Sequence, residues 1–305
     1  MTLIFSGNDY KYELEGVMKL FITATLFKHI YTDGCEAVEG DYAFIRRRKG
    51  KCNTLLYVYV RYKNQFTRKS AVIKNDVERY DNECELVLSQ LLFKAMSKLT
   101  GIEAKWGIIT GIRPVKRVHY MLEKGYGPKE IHDTMSERFL CSNEKIALAY
   151  QTAKVQESIL KDMDRRSFSL YISIPFCPTR CAYCSFVSQS IEKCMDIIPE
   201  YVDNLCEEIK YTAEIAQKTG LKLDTVYFGG GTPTTLEAYQ IDRVMKTIAD
   251  SFDMSNVWEY TVEAGRADTI TEEKLRVIKE NGCTRISINP QTLNDDVLKA
   301  IGRNH

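Results

Sequence analysis

With 305 residues, the chain is long enough for two domains that each bury their own core, and its 44% apolar share is that of a globular protein. No apolar run approaches the ~20 residues needed to cross a bilayer, and the opening MTLIFSGNDYKYELEG carries charges where an export signal would be apolar. Membrane and secreted proteins are set aside, and a soluble, cytoplasmic protein is expected.

The net charge of +1 is divided unevenly along the chain. Residues 1–168 hold 28 Lys and Arg against 21 Asp and Glu, while residues 169–305 hold 14 against 20. This contrast fits a basic first domain, 1–168, and an acidic second one, 169–305, whose opposite signs suit docking or capture of an anionic partner. The ten cysteines point to metal binding or catalysis before disulfides, because cytosolic thiols stay reduced. Only three of them cluster. Cys35, Cys52, Cys84, Cys141, Cys194, Cys206 and Cys283 are scattered and read mostly as small buried hydrophobes.

In chain order, 41–47 (DYAFIRR) and 54–62 (TLLYVYVRY) alternate like strands, with RRRKGKCN as a basic turn between them. Arg46, Arg47, Arg48 and Lys49 there are either a solvated turn or an attraction for an anion. Apolar spacing predicts helices over 79–99, 114–124, 128–138 and 142–163, with Gly125 and Gly127 as a break and Ser142 as an N-cap. This is an α+β segment. From 169 the pattern becomes strand, helix, strand, helix: strands at Leu170–Ile174, Thr225–Phe228, Trp258–Glu263 and Arg285–Ile288, helices near 199–218, 237–251, 272–281 and 294–301. Parallel βα units follow, and they carry chemistry at the C-terminal ends of their strands.

The first of these strands runs into YISIPFCPTRCAYCSF, where Cys177, Cys181 and Cys184 have C-x3-C-x2-C spacing. Three thiolates on one short loop suit a four-iron cluster with one iron left open for a ligand. A zinc site is the alternative, and it needs a fourth ligand, for which Cys194 is the candidate. The second strand ends in FGGGTPT, whose glycines either let a ligand approach the backbone or make a tight turn. No Lys-Ser/Thr pair follows, which disfavours a nucleotide triphosphate. The third strand ends in TVEAGR, placing Glu263 at a strand end as a site residue or a solvated loop charge, with Arg266 a weaker candidate. The fourth leads into RISINPQTLNDDVLKAIGRNH.

These four motifs, in this order over 169–305, resemble the radical S-adenosylmethionine (SAM) superfamily, and within it the oxygen-independent coproporphyrinogen III dehydrogenase (HemN-like) family. WGIITGIRPVKRVHYMLEKG, SIPFCPTRC and ISINPQT resemble its HemZ-type subgroup. The resemblance implies an α/β fold: a partial (β/α) barrel with about four of six βα units, preceded by an α+β N-terminal domain. It implies a [4Fe–4S] cluster on the three cysteines, whose open iron chelates SAM and whose electron releases a 5′-deoxyadenosyl radical. It places Tyr171, Tyr183, Gly229, Gly230, Gly231, Thr232, Glu263 and Gln291 around SAM, with core packing beside the loop as the alternative for the two tyrosines. No catalytic residue is assigned. A side chain at Gly230 is expected to spare the cluster and weaken SAM binding.

The family's reaction is decarboxylation of two coproporphyrinogen III propionates to give protoporphyrinogen IX, with an external donor such as flavodoxin or ferredoxin. A small-molecule porphyrinogen is the expected partner; neither a membrane nor a nucleic acid is. The pattern departs at Ser173, where the dehydrogenases have His, at Phe186, where they have Cys, and at Asn289-Pro290, where Gly-Val is usual. Ending at His305 after four units reads as a fragment, with an exposed sheet edge as an aggregation liability. A haem-binding chaperone, with His29, His119 and His132 as axial candidates, or an RNA-acting radical enzyme, remains as an alternative.

Overall fold

A computed structural model of the chain describes all residues except 24, 25, 33, 35–37, 112, 161, 162, 304 and 305, so Cys35 and His305 lie outside the described residues. The chain divides into two compact units, Met1–Asp162 and Met163–His305.

The first unit runs β1 (Thr2–Ser6), α1 (Lys11–Lys19), β2 (Lys28–Tyr31), β3 (Tyr42–Lys49), β4 (Asn53–Tyr62), β5 (Gln65–Lys74), α2 (Tyr80–Thr100), α3 (Val115–Glu123), α4 (Pro128–Asp133) and α5 (Asn143–Leu160). Its sheet has the order β2-β1-β3-β4-β5, parallel among the first three strands and antiparallel from β3 to β5. One face packs on α1 and α2 through Leu3, Phe5, Ala43, Ile45, Leu56, Val58 and Val60, alternate residues that all point the same way. The stretch expected as a basic turn is mostly strand. Arg46–Lys49 complete β3, and β4 begins at Asn53, because pairing with β4 gives these backbone groups their hydrogen bonds. The helix expected over 128–138 changes to a wider turn after Asp133, and α5 starts behind Ser142, whose Oγ accepts from the Lys145 N–H at 3.4 Å.

The second unit comprises β6 (Ser167–Ile174), β7 (Phe176–Cys177), β8 (Gln189–Ser190), α6 (Ile198–Thr219), β9 (Lys222–Gly230), α7 (Ala238–Ser251), β10 (Glu259–Glu263), α8 (Glu272–Glu280), β11 (Arg285–Ser287) and α9 (Asp295–Ala300). The wholly parallel sheet β11-β10-β9-β6 and its helices make four consecutive βα units, a partial α/β barrel. Ile172, Ile174, Val226, Phe228 and Val262 face α6 and α7 in the core, while Tyr171, Tyr227 and Glu263 alternate onto the opposite face. Side-chain caps start the later helices: Thr271 Oγ1 accepts from the Lys274 N–H, and Asn294 Oδ1 from the Val297 N–H. β11 is an edge strand, with Ile286 in it and Ile288 just after it both exposed. Among the described residues no helix is long and apolar enough to cross a membrane.

Candidate functional site

All four parallel strands of the second unit point the same way, so the segments that follow them converge at one end. There a cavity of about 160 Å³ is lined by Cys177, Cys181, Cys184, Tyr183, Gly230, Gly231, Thr232, Glu263 and Gln291. Tyr171 and Gly229 do not line it; they lie just behind, where an added Cβ on Gly229 would meet the Tyr171 hydroxyl at 2.7 Å.

The cysteine loop is stitched down on each side. The short parallel pair β7–β8 closes its base, with the Gln189 N–H bonded to Pro175 O at 2.8 Å and the Cys184 N–H to Cys181 O at 3.0 Å. The glycine turn locks against it through Gly231 N–H to Ile174 O and Thr232 N–H to Phe176 O, both 2.8 Å. Cys177 Sγ lies 3.4 Å from Thr232 Oγ1. The glycines are there for space. A Cβ on Gly231 would stand 2.7 Å from Phe176 O and 3.0 Å from Cys177 Sγ. Gly230 has φ +103°, and its Cβ would meet Ser173 Oγ at 2.8 Å and Ile174 N at 3.0 Å. That corrects the expectation for Gly230: a side chain there pushes into β6 just before the cysteines and disturbs their loop as well as any ligand.

On the open sheet face Tyr171 and Tyr227 stack at 5.7 Å, and the Tyr227 hydroxyl donates to Glu263 Oε1 at 2.6 Å. That hydrogen bond to a carboxylate, with burial second, pushes the Tyr227 phenol up to about 12. Burial, then the Glu263 charge, also raises Tyr171. Tyr227 was missed in the sequence, although it sits two residues before the glycine run in the alternation that places Tyr171.

Arg266 is buried. It grips Asp268 through Nε and Nη2 at 3.0 and 2.7 Å, and its Nη1 donates to Thr179 O and Oγ1 in the cysteine loop. It therefore joins the segment after β10 to the cysteines. The segment after α9 does the same, through Thr179 Oγ1 to Gly302 O at 2.8 Å and the Ala182 N–H to Ile301 O at 3.0 Å. Arg303 from that segment is buried at the cavity wall. Its Nη1 donates to Asn289 O at 2.8 Å, and among the described residues its Nε has no hydrogen-bond partner. No signal in the sequence singled out this arginine. Gln291 takes the left-handed φ of +69°, uncommon for a side-chain-bearing residue, and borders the cavity.

The donor set suits a cluster better than one ion. Among the described residues no three His, Cys, Asp or Glu side chains come close enough to share one metal. A zinc ion would draw every sulfur to ~2.3 Å, whereas an iron–sulfur cubane places each thiolate on a different iron. Cys194, the candidate fourth zinc ligand, is buried in the hydrophobic core. Among the other described cysteines, Cys84, Cys141 and Cys206 are buried as expected, but Cys52 is exposed and Cys283 half-buried. Burial raises the Cys141 thiol to about 11, which keeps it protonated and inert. The three histidines have local partners: His29 with Glu15 at 2.8 Å, His119 with Gln156 at 2.7 Å and His132 with Asn143 at 3.1 Å.

Residues 171–305 match the radical SAM superfamily. The second unit is a radical SAM domain, of the class whose cofactors are a [4Fe–4S] cluster and SAM. The chain is 41% identical over 221 residues to the oxygen-independent coproporphyrinogen-III oxidase-like protein HemZ of Bacillus subtilis (strain 168), covering 72% of this chain and 44% of that protein. It is 39% identical over 137 residues to the heme chaperone HemW of Lactococcus lactis subsp. lactis (strain IL1403), covering 45% of this chain and 34% of that one. Among solved structures, coproporphyrinogen III oxidase (HemN) from Escherichia coli, a radical SAM enzyme, is 28% identical with a TM-score of 0.42, over 50% of this chain and 34% of that one. The chain thus spans less than half the length of each of these proteins.

Proposed function

We propose that Cys177, Cys181 and Cys184 hold a [4Fe–4S] cluster, and that the second unit is the core of an enzyme converting two propionates of coproporphyrinogen III to vinyl groups, giving protoporphyrinogen IX. One observation carries this reading: a single cavity gathers the three thiols with Gly230, Gly231, Thr232, Glu263 and Gln291, which come from four separate strand ends. When bound, the cluster supplies the electron that cleaves SAM to a hydrogen-abstracting radical. Each propionate loses one β-hydrogen, CO2 and one electron. One electron enters with SAM cleavage, and the one that leaves with CO2 would pass to an external one-electron acceptor, so every vinyl formed is balanced.

The chain's own groups bind and orient. The side-chain-free turn at Gly230–Gly231 leaves its backbone open to a cofactor amine, and Glu263, fixed by Tyr227, offers its carboxylate to hydroxyl or amino groups. Tyr183 and Phe186 line the cavity beside the cysteines and are themselves exposed. Similarity to the HemZ protein supports a porphyrinogen substrate. An external one-electron donor of the flavodoxin or ferredoxin kind, and a cytoplasm that keeps thiols reduced, complete the proposal.

A haem chaperone is the second reading. It is favoured by Phe186, which stands where the dehydrogenases have a further Cys, and by similarity to HemW. Anaerobic iron–sulfide reconstitution, EPR with and without SAM, and incubation with coproporphyrinogen III separate the two. An EPR signal that shifts with SAM, together with protoporphyrin fluorescence, is expected. A SAM-sensitive signal with one-to-one haem binding and no product moves the assignment to the chaperone. A signal indifferent to SAM overturns both readings.

A further inference from the structure

The sheet of the first unit has a second face, which α1 and α2 do not cover. Along β3, β4 and β5 the register puts the even residues of β3 and β5 and the odd residues of β4 on this side. The side chains there sort sharply by charge. Arg46, Arg48, Arg61, Arg68 and Lys74 lie on this face, and no Asp or Glu of β3, β4 or β5 does. Among the described residues none of these five cations makes an ion pair or a side-chain hydrogen bond. Arg47, one position along on the helix-covered face, pairs with Asp81 at 2.5 Å. Between the cations runs a ladder of rings. Tyr59 stacks on Tyr42 at 5.7 Å and on Phe66 at 5.9 Å, and Phe44 meets Tyr57 edge-on at 6.4 Å. Phe44 forms the buried floor, whereas Phe66 is 68% and Val72 63% exposed.

Five unpaired cations around a row of rings on an open, ten-residue strand make a long, exposed platform, ~33 Å along β4. Phosphates suit the cations, and unstacked bases suit the rings. Three of the five rings are tyrosines, whose hydroxyls both donate and accept, as a ribose 2′-hydroxyl does. A small macrocycle would need a concave pocket to cover both its faces. An acidic peptide would leave the rings unused. We propose that this face binds single-stranded RNA. The proposal is independent of the porphyrinogen assignment, because it rests on the first unit alone. Composition could not show it: the excess of basic residues is visible in the sequence, but their sorting onto one side of a sheet depends on register.

The test is fluorescence anisotropy of the full chain with a labelled mixed-sequence 12-nucleotide RNA, alongside the same sequence as DNA and as an RNA duplex. Tightest binding to the single-stranded RNA is expected. The slope of log affinity against log salt should be about −3.5, from five phosphates at about −0.7 each. Arg61→Glu with Arg68→Glu should lower affinity ten-fold or more. Phe66→Ala, at an exposed ring that folding does not need, should lower it five-fold or more. Lys94→Glu with Lys129→Glu, an exposed pair elsewhere on the same unit, is the charge-matched control and should change affinity less than two-fold. Equal losses in the two reversal pairs, displacement of the RNA by polyglutamate, equal binding of DNA or duplex, or no binding would each overturn the proposal.

Discussion

The two units build their sheets on opposite plans. The second uses only parallel strands, so every strand ends on the same rim, and residues 177, 231, 263 and 291, far apart in sequence, meet around one cavity. The first turns antiparallel after β3, so its loops fall alternately at both ends and nothing converges there. Its chemistry is spread over a face instead. A parallel sheet concentrates function at a rim, where deep contacts to a small cofactor can form; an open antiparallel face distributes it, which suits a long ligand.

The comparison is broken most severely by Cys181→Ser, which should remove the cluster's brown absorbance and its iron while the first unit keeps its fold. Wild-type iron in that variant would defeat the assignment of the cysteines. Next comes Arg266→Leu, which removes the bidentate grip on Asp268 and one of the bonds that hold Thr179 in the cysteine loop. Arg266 is buried but Asp268 is exposed, so the cost is that of the lost charge-assisted hydrogen bonds, about 2 kcal/mol. A lowered melting temperature of the second unit, seen by calorimetry, with iron loading down severalfold, is expected; an unchanged melt would show that the loop holds itself. Third, Gly231→Ala and Gly101→Ala compare crowding with backbone preference. Gly231 meets Phe176 O at 2.7 Å, whereas Gly101, with φ +70° at the end of α2, has open space around it. Alanine at 231 should cost about 2 kcal/mol through overpacking and lower iron content, and at 101 about 1 kcal/mol with iron unchanged. Equal iron loading in both variants would remove the glycine turn from the site.

The second unit was legible in the sequence because its signals are local and repeat. Each strand is an apolar run next to an amphipathic helix, and the cysteine loop needs only covalent neighbours. Its four strands lie where expected, within a few residues. The first unit was harder to read. β5 (QFTRKSAVIK) buries only Thr67 deeply and shows no apolar run, and β1 and β2 are five and four residues long. Arg46–Lys49 look like a turn by composition and become strand only because β4 pairs with them. In the site, the residues missed were those whose role depends on a neighbour. Arg303 is buried by the cysteine loop, and Tyr227 matters because Glu263 lies one strand away.

The smallest expected effect bears on that last pair. Loss of the Tyr227 proton would set a phenolate against the Glu263 carboxylate at 2.6 Å, so the phenol holds its proton up to about pH 12. A raised pKa stabilises the fold below the ordinary tyrosine value near 10, and that contribution fades as the pH climbs from there through about 12. Glu263→Gln keeps an acceptor oxygen but removes the charge, so Tyr227 should titrate closer to 10, and the added stability between these two values should shrink. Carbon-13 tyrosine NMR checks this, with Tyr227→Phe identifying the resonance. An unmoved titration in Glu263→Gln would mean that burial alone sets the value. The carboxylate would then be free of the sheet face, and the fixed direction given to it in the cavity would be lost.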